Sequence, residues 1–352
     1  MIVKQVVGID VAQNELVVCL GRMNDNWIPE LYANKSFANT AAGFKSLTSW
    51  VSKSTIDTVS VRYVMEATGV YHQKLAYYLH DEELEVSIVL PNKISNYSRS
   101  LDTKTVTDKT ASQAIAQFGL ERHLDLWQKP KDVYSKIKYL TRERDQLVSE
   151  RTVLKNQLHA ELAQAYPYKK SLDRIRKRIA LLDKQEKEIM AELREMIASD
   201  PEVQQIVIIL CTIPGIGTLT AATVIAETNG FELIRNKRQL TSYAGLDVRE
   251  KQSGTSVKGK PRISKKGNKY LRKAMYLPAL TAIRHQDTFK NIFARLVSRH
   301  GIKMKAAVAI QRKLLELMFT LYKTKTKFDK NILDKGILKE MAVLEQLGGE
   351  HK

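Results

Sequence analysis

The chain has 352 residues, 43% of them apolar, enough for two or three domains with real cores and too many for a disordered polymer. Its 57 Lys and Arg against 38 Asp and Glu leave a net charge of +19, which points to a polyanionic partner, nucleic acid first, over a small neutral substrate. A membrane-surface role also fits that charge. However, no apolar run reaches the roughly 18 residues of a spanning helix and the N-terminus has no signal-peptide core, so the chain reads as soluble and cytoplasmic, without a membrane partner. Cys19 and Cys211 lie far apart in apolar runs, without CxxC or Cys/His zinc spacing. Both are expected to be buried free thiols in a reducing compartment.

Residues 1–130 read as an α/β domain. VKQVVGIDVA and ELVVCLGR are β-branched runs separated by a short polar stretch, which predicts a hairpin. Asn39 is placed to cap a helix running to about Lys53, and VSVRYVME reads as a further strand ending on Glu66. HQKLAYYLHDE then reads as a helix and EVSIVLP as a buried strand stopped by Pro91. The last element is a helix opening near Asp108, after the hydroxyl-rich approach DTKTVT.

From 131 to 200 the texture changes to mixed charge with almost no glycine. Leu140, Leu147 and Leu154 recur every seven residues, as do Ile175, Leu182 and Ile189, with Tyr166-Pro167-Tyr168 between the two runs. The pattern predicts two long helices. They form either an antiparallel hairpin or intermolecular coiled coil, or ordinary amphipathic helices packed on their own domain; three heptads do not separate these.

A third, mainly helical region spans 201–330, and 331–352 reads as a loosely held tail. It opens with IVIILCTIPGIGTLTAATVIAE, where Gly215 and Gly217 in the turn suggest a helix-hairpin-helix whose backbone N–H groups can approach a phosphate. The same glycines also suit a plain tight turn between core helices. From Arg235 to Lys273, thirteen Lys or Arg stand against Asp247 and Glu250, concentrating +11 of the chain's +19 in one stretch. A phosphate-binding surface accounts for that better than a solvated helix face.

Three acids stand where an isolated acid is hardest to justify. Asp10 interrupts the apolar run VVGID, Glu66 ends YVME, and Asp108 opens a helix. Singly they could cap a turn, pair with a base, or cap a helix. Together, on neighbouring strands and a covering helix, they can converge on one point, where carboxylates repel unless divalent cations sit between them. Such a cluster with two Mg²⁺ ions serves in-line phosphoryl displacement.

These residues resemble a known family. GIDVA, MEATGVY, TDKTASQAIAQFG, IPGIG and YAGLDVREKQSGTSVKGKPRISKKGNKYLRKAMYLPA look like the DEDD insertion-sequence transposases of the Piv/MooV type, in the family's order over roughly residues 5 to 325. The resemblance implies an N-terminal RuvC-like (RNase H-fold) catalytic domain, a coiled-coil middle and a C-terminal serine transposase domain. It further implies a bacterial cytoplasmic recombinase that moves its own element, acts on donor and target DNA and is guided by a structured bridge RNA. By the same resemblance Asp10, Glu66 and Asp108 match three of four acids expected to bind Mg²⁺, with Mn²⁺ as a substitute, and Ser253 matches the serine expected to become a phosphoserine. Lys258, Lys260, Arg262, Lys265 and Lys266 would then position nucleic-acid phosphates. A two-ended reaction implies a homodimer or homotetramer.

The sequence departs from the family at the fourth acid, where Ala111 occupies the last position of Asp108-Lys109-Thr110-Ala111. Three readings follow: three carboxylates suffice; Asp102, Ser112 or Gln113 substitutes; or the copy is inactive. Without the resemblance, SGTS followed by VKGK is a solvated loop, and serine needs activation to attack at all. Two other functions compete: a RuvC-like nuclease using water, and a non-catalytic nucleic-acid-binding protein. An actin-like kinase also begins with a GID-like strand, but the expected glycine-rich phosphate loop is missing from the sequence.

Overall fold

The β-branched runs form the expected hairpin. β1 (Ile2–Val11) and β2 (Glu15–Asn24) pair antiparallel around a turn closed by Ala12 N donating to Glu15 O at 2.9 Å. β3 (Pro29–Ala38) then adds to β2, a strand the sequence did not announce. Its residues PELYANKSFA show no apolar run because it is an edge strand, and of its side chains only Phe37 is buried. The computed structural model describes residues 1–329 except 68, 102–104, 106, 233, 250–251, 254–256 and 259–261.

α1 (Ala41–Ser54) follows, and its cap is a correction to the sequence reading. Thr40 Oγ1 accepts from Gly43 N at 3.3 Å, whereas Asn39 donates instead to the carbonyls of Ala12 and Tyr71 at 2.9 and 3.2 Å. Next come β4 (Val61–Glu66), α2 (Gln73–Asp81), β5 (Glu85–Val89), α3 (Pro91–Ser100) and α4 (Asp108–Glu121). Pro91 does more than stop β5, since it sits in the first turn of α3, where its missing N–H costs nothing. The sheet runs β3-β2-β1-β4-β5, with β4 parallel to β1 and β5 parallel to β4.

Period-two alternation gives the sheet two apolar faces. Val7, Ile9, Tyr63 and Met65 pack with Leu47 and Leu75 of α1 and α2. Val6 and Val64 face the other way, against Ile94 of α3 and Ile115, Phe118 and Leu120 on or near α4. Each fully buried Leu or Ile contributes about 1.5–3 kcal/mol, so both helical layers are held mainly by this area. The chain divides into two compact units, and this one is Met1–Lys129.

The second unit begins at Pro130 and takes in the charged helical region as well as everything after it. α5 (Asp132–Leu162) and α6 (Lys169–Ala198) form an antiparallel pair within the chain. Cross-links mark the register: Arg144 with Glu186 at 2.7 Å, Arg151 with Asp183 at 2.6 Å and with Glu186, and Ser171 Oγ donating to Glu161 at 2.9 Å. The heptad leucines do not all serve one purpose. Leu140, Ile189 and Ile197 join the core of the unit, Leu154 and Leu158 are half-buried between the two helices' outer parts, and Leu162 is exposed. The reading of amphipathic helices packed on their own domain therefore holds at the base of the pair.

α7 (Pro201–Cys211), α8 (Thr218–Glu227) and α9 (Lys237–Tyr243) lead to four two-residue strands, β6 (Val248–Arg249), β7 (Gln252–Ser253), β8 (Val257–Lys258) and β9 (Arg262–Ile263). α10 (Lys269–Ala274), α11 (Tyr276–His285), α12 (Asp287–His300) and α13 (Lys303–Thr324) close the unit around Ile225, Phe231, Leu271, Phe289, Leu314 and Met318. Cys19 is buried as expected, but Cys211 is only half-buried, because it ends α7 rather than lying inside it. The expected tail lies outside the described residues. Among the described residues no helix is long and apolar enough to cross a membrane.

Candidate active site

β1 and β4 run parallel, and Ile9 pairs with Met65, so the next residue on each strand, Asp10 and Glu66, falls at the same end of the sheet. Alternation along the strands puts both on the face that carries α4. Gly8, two residues before Asp10, shows how close α4 comes. A Cβ built there would lie 2.5 Å from Ser112 O and 2.6 Å from Ala116 Cα. Farther along, a Cβ at Gly119 would lie 2.7 Å from Val6 and 2.9 Å from Val64. Lys4 completes the attachment by donating to the carbonyls of Leu120 and Arg122 at 2.8 and 3.0 Å, satisfying orphan carbonyls at the C-terminus of α4.

α4 therefore runs antiparallel to β1, with Gly119 over Val6 and Ser112 over Gly8. One further helical turn brings Asp108 toward Asp10. The first turn is fixed by a capping box: Thr107 Oγ1 accepts from Thr110 N at 3.2 Å, and Thr107 N donates to Thr110 Oγ1 at 2.8 Å. Thr107 is the cap, so capping does not explain Asp108. Glu66 ends β4 beside Val89 of β5.

The electrostatics register the convergence. Burial first, then the charges of Asp108 and Glu66, push the Asp10 carboxyl up from 3.8 to about 6, against a smaller opposing effect of the Val11 N–H. Glu66 and Asp10 are half-buried and Asp108 is exposed. Among the described residues no three His, Cys, Asp or Glu side chains stand close enough together to form a ready metal-ligating group. The donor set nevertheless fits a hard divalent cation. It is oxygen only, and such an ion would offset both the burial and the neighbouring negative charges that raise Asp10; Mg²⁺ needs few protein ligands because it keeps several waters.

Ala111 stands where the resemblance expects a fourth acid. Ala111 is half-buried in the second turn of α4, its N–H bonded to Thr107 O at 2.8 Å. Of the candidate substitutes, Ser112 is fully buried and donates its hydroxyl to Lys109 O at 2.8 Å, so that side chain is already committed. Gln113 is half-buried, and Asp102 lies outside the described residues.

In the second unit, Ser253 of β7 pairs with Val257 of β8, and a separate pair joins β6 to β9 through Val248–Ile263 and Arg249–Arg262. Arg262, Lys265 and Lys266 are exposed in or after β9. Lys260 lies outside the described residues, and for Lys258 as for Ser253 the backbone strand alone is described. In the turn between α7 and α8 the two glycines differ. Gly215 has φ +89°, and a Cβ there would lie 2.8 Å from Pro278 O, so packing on α11 accounts for it. Gly217 caps α8 in open space, with nothing within 4 Å of a built Cβ, and leaves the helix N-terminus accessible.

Comparison with known proteins follows this division. Residues 7–167 match a transposase family model of the DEDD IS110 type, and residues 208–294 match the model described as Transposase IS116/IS110/IS902 family. The chain is 30% identical over 333 residues to the pilin gene-inverting protein of Moraxella bovis, covering 94% of this chain and 99% of that protein. The chain belongs to the IS110-type DEDD transposase family. It is also 23% identical, over 90% of its length and 89% of the relative's, to the transposase for insertion sequence element IS1111A of Coxiella burnetii. Among solved structures, Thermus thermophilus RuvC in complex with a Holliday junction substrate is similar at 8% identity over 35% of this chain and 99% of that chain, with a TM-score of 0.27, too low to decide the fold. By family the protein is a DNA transposase or recombinase. Asp10, Glu66 and Asp108 fall in the first matched region, and Gly215, Gly217 and Ser253 in the second.

Two structural residues, one beside Asp10 and one in the second unit, went unnoticed in the sequence. One is Gly8, whose signal is a glycine inside a β-branched run. The other is Glu227, a lone acid closing the apolar helix TLTAATVIAE.

Proposed function

We propose that this transposase cuts and rejoins DNA through Ser253, with Asp10, Glu66 and Asp108 of an RNase H-like, RuvC-type domain holding Mg²⁺, and with a structured guide RNA selecting the DNA. The observation that carries the metal-site reading is the convergence on Asp10: a strand acid whose carboxyl is raised to about 6 in part by two other acids, one abreast on β4 and one on the covering helix.

In the chemistry this assigns, Ser253 Oγ loses its proton and bonds to the phosphorus as the bond to one strand's oxygen breaks, releasing a hydroxyl-ended strand. A hydroxyl from another strand then attacks the phosphoserine, breaks its P–Oγ bond and restores the serine. One phosphoester replaces another at each step, so no energy-rich cofactor is consumed. When bound, Mg²⁺ would supply charge stabilisation at the phosphoryl oxygens. Above about pH 6 Asp10 is ionised and available as a ligand, and three carboxylates are sufficient for an ion that keeps its waters. The exposed Arg262, Lys265 and Lys266, with Lys258 and Lys260, hold phosphates without reading sequence, leaving specificity to base pairing with the RNA. Gly217 offers a second phosphate contact at the α8 N-terminus. Exchange of two DNA ends requires two active chains, hence a homodimer or homotetramer.

The test is a covalent one. Purified with its copurifying RNA and given Mg²⁺ and element-end DNA, the wild-type chain should form an adduct that survives denaturing electrophoresis. Ser253→Ala and Asp10→Ala should each lose the adduct and strand exchange while still binding nucleic acid. Strand cleavage retained by Ser253→Ala, with no adduct in wild type, would establish a water-using nuclease instead, and recovery of only random RNA would remove the guide.

A further inference from the structure

Glu227 ends α8 with its side chain at 0% exposure. A carboxylate in that position is costly to desolvate, and a buried ion pair seldom stabilises more than apolar packing of equal volume, so stability alone does not account for it. Its partners come from three parts of the unit. Arg142 of α5 binds it bidentately, Nε to Oε1 at 2.7 Å and Nη2 to Oε2 at 2.9 Å, while its guanidinium lies 4.4 Å over the Tyr270 ring. Asn268 Nδ2 donates to Oε2 at 2.6 Å, and Tyr243 OH donates to the Glu227 main-chain carbonyl at 2.9 Å.

Asn268 and Tyr243 are the two feet of the segment 244–267, which holds the β6–β9 pair and, farther along the chain, the separate β7–β8 pair with Ser253. Asn268 N donates to Tyr243 O at 2.7 Å, Lys265 N to Gly245 O at 3.1 Å, and Ser264 N to Asp247 O at 2.8 Å. Ser264 Oγ also donates to Asp247 Oδ1 at 2.5 Å. The β6–β9 rungs follow these contacts, and Ser253–Val257 is the rung of the separate β7–β8 pair within the same segment. The feet approach this closely because Gly267 has no side chain: a Cβ there would lie 2.7 Å from Gly245 N. Asn268 is fully engaged, since its Oδ1 also caps α10 by accepting from Tyr270 N at 2.9 Å.

We infer that Glu227 is a positioning residue for strand exchange: by holding Asn268 with its carboxylate and Tyr243 with its carbonyl, it locks both feet of the segment that contains Ser253 and limits how far that segment can move as a body. The inference rests on Ser253 being the nucleophile. Loss of the clamp leaves the segment attached but free to tilt, and a misplacement of about 1 Å at a reacting atom can cost about 100-fold in rate.

The experiment uses the full chain with its copurified RNA and compares Glu227→Gln, Asn268→Ser and the double variant Glu227→Gln/Asn268→Asp. Asn268→Ser keeps the α10 cap but loses the donor to Glu227. The double variant reverses the polarity of the 227–268 hydrogen bond and preserves both the bond and the cap. Both single variants should slow adduct formation by about 10- to 100-fold with DNA affinity within about twofold, and should speed amide exchange over 262–268. The double variant should recover most of the rate, which a merely structural role would not produce. Adduct formation within about twofold of wild type in a folded Glu227→Gln, or in Asn268→Ser if the former does not fold, overturns the inference, as does a double variant no better than Glu227→Gln. If instead Ser253→Ala keeps the adduct, the nucleophile reading fails by itself, and amide exchange still decides whether Glu227 clamps the segment.

Discussion

Replacing Asp10 by Asn should stabilise the metal-free protein while destroying its activity. In the folded chain burial, Asp108 and Glu66 raise the Asp10 carboxyl from 3.8 to about 6, so at neutral pH folding forces an ionised group into surroundings that favour its proton. At about 1.4 kcal/mol per pH unit that rise corresponds to about 3 kcal/mol, and solvent access to the half-buried side chain reduces it to about 1–2 kcal/mol. The sign follows from the protons bound. Between pH 4 and 6 the folded state holds a proton that the unfolded state has released, so stability falls as pH rises through that window, and above it the penalty is complete. Asn resembles the protonated acid in size and carries no charge. Its advantage should therefore be full at pH 7.5 and shrink toward zero near pH 4. Urea unfolding in EDTA, followed by tryptophan fluorescence, reads the right unit, because Trp27, Trp50 and Trp127 are the chain's three tryptophans and all lie in Met1–Lys129. An unchanged midpoint at pH 7.5, or an equal gain at both pH values, would refute the argument.

Gly8→Ala should cost about 3 kcal/mol or more in the same unfolding assay, since the new Cβ meets α4 backbone that cannot rotate away. Mg²⁺ should no longer protect the first unit in that variant; a loss under about 1 kcal/mol would mean that α4 lifts freely. Ala111→Asp, which restores a fourth acid one turn beyond Asp108, should lower metal-free stability at pH 7.5 and increase the stabilisation gained on adding Mg²⁺. A variant with unchanged Mg²⁺ response would show that position 111 faces away from the metal.

The parts of this molecule that could be read from its sequence are those with a local signature. The hairpin of β1 and β2, the strand ending on Glu66 and the helix opening at Asp108 all show periodicity or capping chemistry in a few consecutive residues. β3 was not legible, because an edge strand has little to bury and PELYANKSFA alternates weakly. The acids could be singled out and their convergence expected, but not the geometry that brings it about, which depends on the Ile9–Met65 register and on the approach of α4 over Gly8. Ser253 carries no chemical signature of its own; its surroundings read as a solvated loop, and only the family resemblance proposes a role for it. Glu227 was missed because its partners Arg142 and Asn268 lie 85 and 41 residues away.

The alternation of β1 has a consequence for quality control. Val7, Ile9 and Val11 face one core while Gly8 and Asp10 face α4, so a slip of one residue would drive a carboxylate into apolar packing and turn isoleucine outward. A chain paired in the wrong register would thus fail to fold stably before it could bring Asp10 to a wrong place. Under the proposed metal-site role of Asp10 this is protective, since the error that would misalign that carboxylate is one the fold itself rejects.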